Sequence, residues 1–195
     1  MRYILVAIVL AIAAFIWVRS PVAHAAGVLV TKTPTQVLLT EPMTPIVRDG
    51  FSIRPLAGYI IEGRVLHTKH YYSDPVAGLA PYDVGLGWGK MSDTAVLSQM
   101  ELSQSNRFLF WQWEKQPPMP TKEIETEASN NHLIAANRQI ARQIAWLREG
   151  EIIRLEGSLI EATGPGGNKW TSSLSRDDIG NGACEIMWVS KLTKL

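Results

Sequence analysis

The sequence predicts an α+β domain, a small curled antiparallel sheet or barrel with one clear helix, preceded by an N-terminal hydrophobic helix. Three observations predict it. Residues 3–18 are an uninterrupted apolar run. Residues 151–162 alternate apolar and polar side chains with the period of a strand. Residues 137–148 hold the best apolar stripe with helical spacing. The chain has 195 residues, 46% of them hydrophobic and 19% charged, which suits one domain with a real core plus a short appendage.

Residues 1–26 carry one cation, Arg2, ahead of the apolar run. As a helix the run would extend about 24 Å at ~1.5 Å per residue. A bilayer core is about 30 Å thick, so a strict span is slightly short, while signal-peptide apolar cores reach about 15 residues. Ala23-His24-Ala25 has the small-x-small form of a cleavage site, and Pro21 precedes it. Trp17 and Arg19 instead close the run as interface anchors close a membrane helix. Both readings stand, cleaved signal or uncleaved anchor, and both put the rest of the chain outside the cytoplasm. The expected location is the inner membrane, single-pass with a periplasmic domain, or the periplasm after cleavage.

Residues 27–50 hold three prolines and little periodicity, an extended tether whose later part lies on the domain. The globular domain is expected over residues 51–195. Residues 51–72 favour strands, with Gly58 and Gly63 as bulge candidates. Residues 73–93 read as an irregular, glycine-rich loop. Ser92 or Asp93 caps a short helix through Met100. Residues 107–113 (RFLFWQW) form a strong strand. Asn137 caps the main helix, in which Ile140, Ala141, Ile144, Ala145 and Leu147 make the stripe, Arg138, Arg142 and Arg148 lie off it, and Gly150 ends it. GPGGN, residues 164–168, connects a hairpin. Residues 183–189 are the closing strand. The phrase GEIIRLEGSLI resembles the strand–bulge–strand run of OB-type barrels, where a glycine lets a strand turn a corner, so the barrel alternative is an OB-like one.

Composition excludes some functions. The formal net charge is +1, and removing residues 1–26 takes away two arginines and no acid. Such a domain has no broad field for a nucleic-acid backbone. The single cysteine, Cys184, permits neither an internal disulfide nor a cysteine zinc site. By alternation with Ile186 and Trp188 it reads as a buried thiol.

No sequence-local catalytic or metal motif is present. His132, in SNNHLIAAN, is the candidate general base. Ser173 and Asp177, in the polar 172–178 loop, are the candidate nucleophile and orienting carboxylate, although no G-x-S-x-G elbow exists. The competing reading is that these serines and aspartates bond nearby backbone. Asp83, Trp88 and Arg176 are candidate binding residues. GLGWG does not match a dinucleotide fingerprint and reads as a turn with Trp88 packed over it. His67 and His70 are three apart, and on a strand they point to opposite faces, so no metal is assigned. No cofactor is assigned either. The loops PYDVGLGWG and SSLSRDDIGNG are expected to meet His132 at one end of the domain, with Arg176 pairing an acid of either loop.

The segments PYDVGLGWGKMSD, SQSNRFLFWQW, NNHLIAAN, GEIIRLEGSLIEA and WTSSLSRDDIGNGACEIMWV together resemble an uncharacterised family of proteobacterial proteins with an N-terminal hydrophobic segment and one domain. The resemblance spans about residues 50–190 and leaves out Ala23-His24-Ala25. It implies an envelope-associated domain and assigns no activity or site residue. The sequence-based expectation is therefore a non-catalytic interaction or structural domain that binds an envelope protein or envelope component. Behind it come an envelope hydrolase using His132 with the 172–178 loop, and a small-ligand or metal carrier using His67 and His70.

Overall fold

A computed structural model of the chain describes residues 4–6, 8, 17–175 and 184–195. The fold is mixed α+β and mostly β. Ten strands are β1 (Thr35–Leu38), β2 (Ile46–Arg48), β3 (Phe51–His70), β4 (Tyr82–Gly87), β5 (Glu101–Ser105), β6 (Phe108–Gln112), β7 (Ala128–Ala135), β8 (Ile152–Thr163), β9 (Lys169–Thr171) and β10 (Glu185–Lys194). Among the described residues that follow the apolar run, three short helices are α1 (Thr94–Leu97), α2 (Thr121–Thr126) and α3 (Arg138–Ala145), and a 3-10 turn spans Gly89–Ser92.

β3 organises the sheet. One edge pairs with β8 from Ser52 to Arg64. The other edge takes β2, β1 and β4 in turn. Register shifts at Pro55/Ala57 and at Val65/His67 allow this long strand to bend. β4 pairs antiparallel with β7, β7 parallel with β10, and β10 antiparallel with β8. The pairings thus lead from β3 through β4, β7, β10 and β8 back to β3. β5 and β6 form a separate two-stranded hairpin.

The main core lies on one face of this circuit, where Tyr59, Ile61, Leu86, Leu133, Leu155 and Val189 meet. α3 covers part of it with Ile140, Ile144 and the following Leu147. The Asn137 side chain starts that helix by accepting from Gln139 N at 2.9 Å and Ile140 N at 3.0 Å. The helix stops at Ala145, before the expected glycine. A second cluster packs Leu79 and Ala80 against Ile134, Ile160 and Ile186. A third holds Met91, Met119 and Ile124 beneath the β5–β6 hairpin.

Three departures from the sequence expectation matter. β4 lies in the stretch read as irregular loop, and β7 in a stretch given no strand. β4 carries two glycines and the buried Asp83, and β7 carries two asparagines and the buried His132, so neither shows the alternation of apolar residues that marks a half-buried strand. Third, the tether of residues 27–50 docks from its beginning and not only in its later part, which was expected to lie on the domain. β1 and β2 pair with β3, and Val30 is buried in the main core. The Ser92 hydroxyl accepts from Leu29 N at 3.1 Å and Val30 N at 3.0 Å, and Gly89 N donates to Val30 O at 2.8 Å. Proline and the lack of periodicity hid this stretch, because a single buried valine held by backbone bonds leaves no repeating pattern.

Candidate functional site

The antiparallel register of β4 and β7 sets Asp83 opposite His132. Asp83 is fully buried and His132 is 2% exposed. His132 Nδ1 lies 2.8 Å from Asp83 Oδ1. The compensating cation comes from neither loop singled out in the sequence. Arg107 Nη1 donates to Asp83 Oδ1 at 2.7 Å and to Ala80 O at 2.9 Å. Its Nη2 and Nε donate to Asp74 Oδ2 at 2.7 and 3.1 Å. The guanidinium also sits 4.0 Å from the centre of the Tyr71 ring.

Local chain geometry aims Arg107 inward. Asn106 and Arg107 form the two-residue turn between β5 and β6, with φ of 50° and 69°. Positive φ at both positions suits a tight hairpin and is unfavourable for arginine. The surrounding bonds hold it there: Arg107 N donates to the Tyr71 hydroxyl at 3.0 Å, and Arg107 O accepts from Asn130 Nδ2 at 2.7 Å. Burial raises the Tyr71 phenol's pKa; the Arg107 N–H opposes this and the Asp83 and Asp74 charges add to it. The phenol therefore stays protonated. Gln104 Nε2 donates to Asn130 Oδ1, and Gln104 Oε1 lies 3.0 Å from His67 Nδ1. A polar network thus runs from Asp74 through Arg107 to His67, joining the hairpin to β3, β4, β7 and the 71–81 loop.

His132 and Asp83 are brought together. Trp88 is buried in the main core, not displayed at a surface. The Ser173 hydroxyl donates to Ser175 O at 3.2 Å and accepts from Ser175 N at 3.0 Å. Ser172 Oγ donates to Ser173 O at 2.9 Å and accepts from Ile186 N at 3.0 Å. These are the local backbone bonds that compete with a catalytic role. Arg176 and Asp177 lie outside the described residues. Cys184 precedes β10 and is half-buried rather than fully enclosed, with Sγ 3.7 Å from Arg107 O. His67 faces Gln104, whereas His70 stacks on Tyr82 at 4.3 Å. Among the described residues no group of three histidine, cysteine or acidic side chains is placed to hold a metal.

Sequence reasoning misses Arg107, Asn130 and Gln104 as site residues; Tyr71 enters it only as one of the aromatics and Asp74 only as an acid that makes no calcium loop. The signal was Asn106-Arg107 between SQS and FLFWQ, a hairpin turn once residues 101–105 are seen as a strand. Chemically, a carboxylate on Nδ1 orients an imidazole for base catalysis through Nε2. Here the ring is closed from solvent and faces Trp170 at 5.0 Å. The network locks the hairpin onto the sheet.

A second constellation lies where the apolar run meets the domain. Residues 17–19 are helical. Arg19 Nη1 donates to Ala145 O at 3.1 Å, satisfying a carbonyl at the end of α3, and its guanidinium lies 5.2 Å over the Trp146 ring. Arg148 Nη1 donates to Val18 O at 3.1 Å, Val22 N donates to Glu149 O at 2.8 Å, and His24 Nε2 lies 2.7 Å from Gly150 O. Gly27 N donates to Asp93 Oδ1 at 2.8 Å. Gly150 has φ of +84°, and a Cβ there would collide with the Val22 carbonyl. Among the described residues no helix is long and apolar enough to cross a membrane.

Compared with protein-family models, curated proteins and solved structures, the chain matches none of them.

Proposed function

We propose that this chain is a non-catalytic interaction domain of the bacterial envelope, an OB-like barrel held at the inner membrane by its apolar N-terminal run. The observation that carries the reading is the junction. Residues 18–30 bond to the domain at Arg148, Glu149, Gly150, Asp93 and Ser92, so the apolar run leads straight into the fold with no free linker. A domain held this way presents fixed faces at a membrane.

Two features support the rest. The circuit β3–β4–β7–β10–β8, with α3 between β7 and β8, follows the order of five-stranded OB barrels, whose ligands lie over the second and third strands. Here those strands are β4 and β7, and their outer face is filled by the chain itself: a Cβ on Gly85 would meet Leu109 at 3.0 Å, and Arg107 covers Asp83. The surface left for a partner is the flank at β1 and β2, where Val37, Leu38 and Val47 are exposed. The test is a C-terminal reporter that is active only outside the cytoplasm, combined with carbonate washing of membranes. An active reporter on a carbonate-resistant chain is expected. Activity of a cytoplasm-only reporter would overturn the reading.

The 2.8 Å contact of His132 with Asp83 favours one second reading, an envelope hydrolase in which Asp83 takes the place of Asp177 and Ser173 is the nucleophile. A fluorophosphonate probe should then label the native protein and fail on Ser173→Ala. A native protein that the probe leaves unlabelled removes this reading.

A further inference from the structure

The outer side of α3 has a composition that the core does not explain. Ile140 and Ile144 face inward. Arg138 and Arg142 are exposed and one turn apart, and Trp146, 51% exposed, continues the line at the same spacing. The line is about 12 Å long at ~1.5 Å per residue. Neither arginine has a carboxylate partner among the described residues, whereas Glu151 is held by Arg148 at 3.0 Å and Lys194 at 2.7 Å.

This line meets the chain at the C-terminal end of the apolar run. Arg19 bridges the Trp146 ring and the Ala145 carbonyl, and Trp17, one residue before the end of the run, is 78% exposed. On the neighbouring side Tyr82 shares a cleft with Arg138 and Ala141, His70 stacks on Tyr82, and Tyr72, in ring contact with His70, is 83% exposed. Exposed tryptophan and tyrosine beside arginine is the composition of a membrane interface, where the rings sit at headgroup depth and the cations meet lipid phosphates.

We propose that the outer face of α3, with Arg138, Arg142, Trp146 and Arg19, lies on the headgroup layer of anionic phospholipid and fixes the orientation of the domain on the membrane. The proposal rests on the anchor reading above and adds a side to it: this face turns toward the bilayer. The geometry supplies the reason for the short junction. Arg19 cannot bond the end of α3 unless that end stays within a few residues of the membrane boundary. Cations this close to the surface lie within about one Debye length of the phosphates, ~8 Å at physiological salt, so their attraction is not fully screened.

The experiment uses the full chain in vesicles of phosphatidylcholine, with or without phosphatidylglycerol, containing lipid brominated near the headgroup. Trp17→Phe first removes the anchor's own tryptophan signal. In that background bromolipid should quench tryptophan fluorescence, more strongly with phosphatidylglycerol, and adding Trp146→Phe should abolish that quenching. Arg138→Gln with Arg142→Gln changes only exposed side chains, and it should erase the difference between the two vesicle types. Carbonate resistance of the same samples reports the anchor separately. A carbonate-resistant chain whose quenching ignores Trp146 and both arginines overturns this proposal and leaves the anchor standing. A chain that carbonate strips but that still quenches through Trp146 keeps the lipid face and overturns the anchor. Loss of both overturns both.

Discussion

Replacing Arg107 with alanine tests the buried network directly. Asp83 has no solvent exposure, and its Oδ2 has no hydrogen-bond partner among the described residues. Its charge is balanced at Oδ1 by Arg107 at 2.7 Å and approached by His132 at 2.8 Å. Removing the arginine leaves a buried carboxylate beside one imidazole. Breaking a buried pair from one side costs about 3–5 kcal/mol. The Asp74 contact adds little, since Asp74 is 27% exposed and such a pair contributes up to about 1 kcal/mol. Relief of the positive φ at position 107 does not follow, because alanine is no better there than arginine. A loss near 4 kcal/mol corresponds to roughly 8–16 °C in Tm for a chain of this size. The assay is urea unfolding of the purified chain in detergent, followed by tryptophan fluorescence. The double variant Arg107→Ala/Asp83→Asn carries no orphaned charge and should recover at least about 1–2 kcal/mol of the loss. A loss below about 1 kcal/mol for Arg107→Ala, or a double variant as costly as the two singles added together, would refute the account of Asp83 as a charge held in place by Arg107.

His132→Ala leaves the Arg107–Asp83 pair intact but opens space beside Trp170; it should lower stability by about 1–3 kcal/mol, and an unchanged urea midpoint would mean His132 takes no structural part. Burial pushes the Glu151 pKa up, but bonds from Lys194 and Arg148 outweigh it, so the carboxyl sits below its ordinary value of 4.5 in the folded chain. A depressed folded-state pKa gives stability that is full above the unfolded value and is lost as pH falls through the folded one; Glu151→Gln should therefore flatten the fall in stability below about pH 4.5, and a slope equal to that of the parent chain would contradict this. Gly150→Ala meets both the positive φ and the Val22 carbonyl, so limited proteolysis should cut the 18–30 segment faster, and an unchanged digestion pattern would count against the docked junction. Cys184 is half-buried, so a small maleimide should label the folded chain slowly and the urea-unfolded chain faster; a folded chain wholly resistant to labelling would show a closed site.

Much of the fold was legible where side chains follow a simple rule. The alternation of Ile153, Leu155 and Leu159 marked β8, and their buried positions bear it out. Asn137 and the Ile140/Ile144 stripe marked α3, with the cap bonds in place. The Phe108–Gln112 strand was visible from its aromatics, but not its partner β5, whose polar residues pack over other polar residues. The candidate site was only half legible. His132 was chosen as a lone histidine in a polar setting and Asp83 as an acid that needed a partner, yet their contact crosses 49 residues of sequence. Among the described residues the cation that pairs with Asp83 is Arg107, which lies in neither of the loops singled out from the sequence.

The sequence by itself determined β8, the 108–112 strand, α3, the near-neutral charge and the apolar run of residues 3–18, because helix stripes, strand alternation and long apolar runs are set by residues close together in the chain. Only the tertiary structure decided which polar residues meet. Asp74, Asp83, Arg107 and His132 are scattered along the chain and leave no spacing to read, since buried charges are paired through strand register and the approach of a hairpin, and neither of these is encoded within a single window of sequence. The same holds for the junction: Val22 and Gly150 are adjacent because a backbone carbonyl fits where a glycine leaves room, a fit that exists only once both segments are folded.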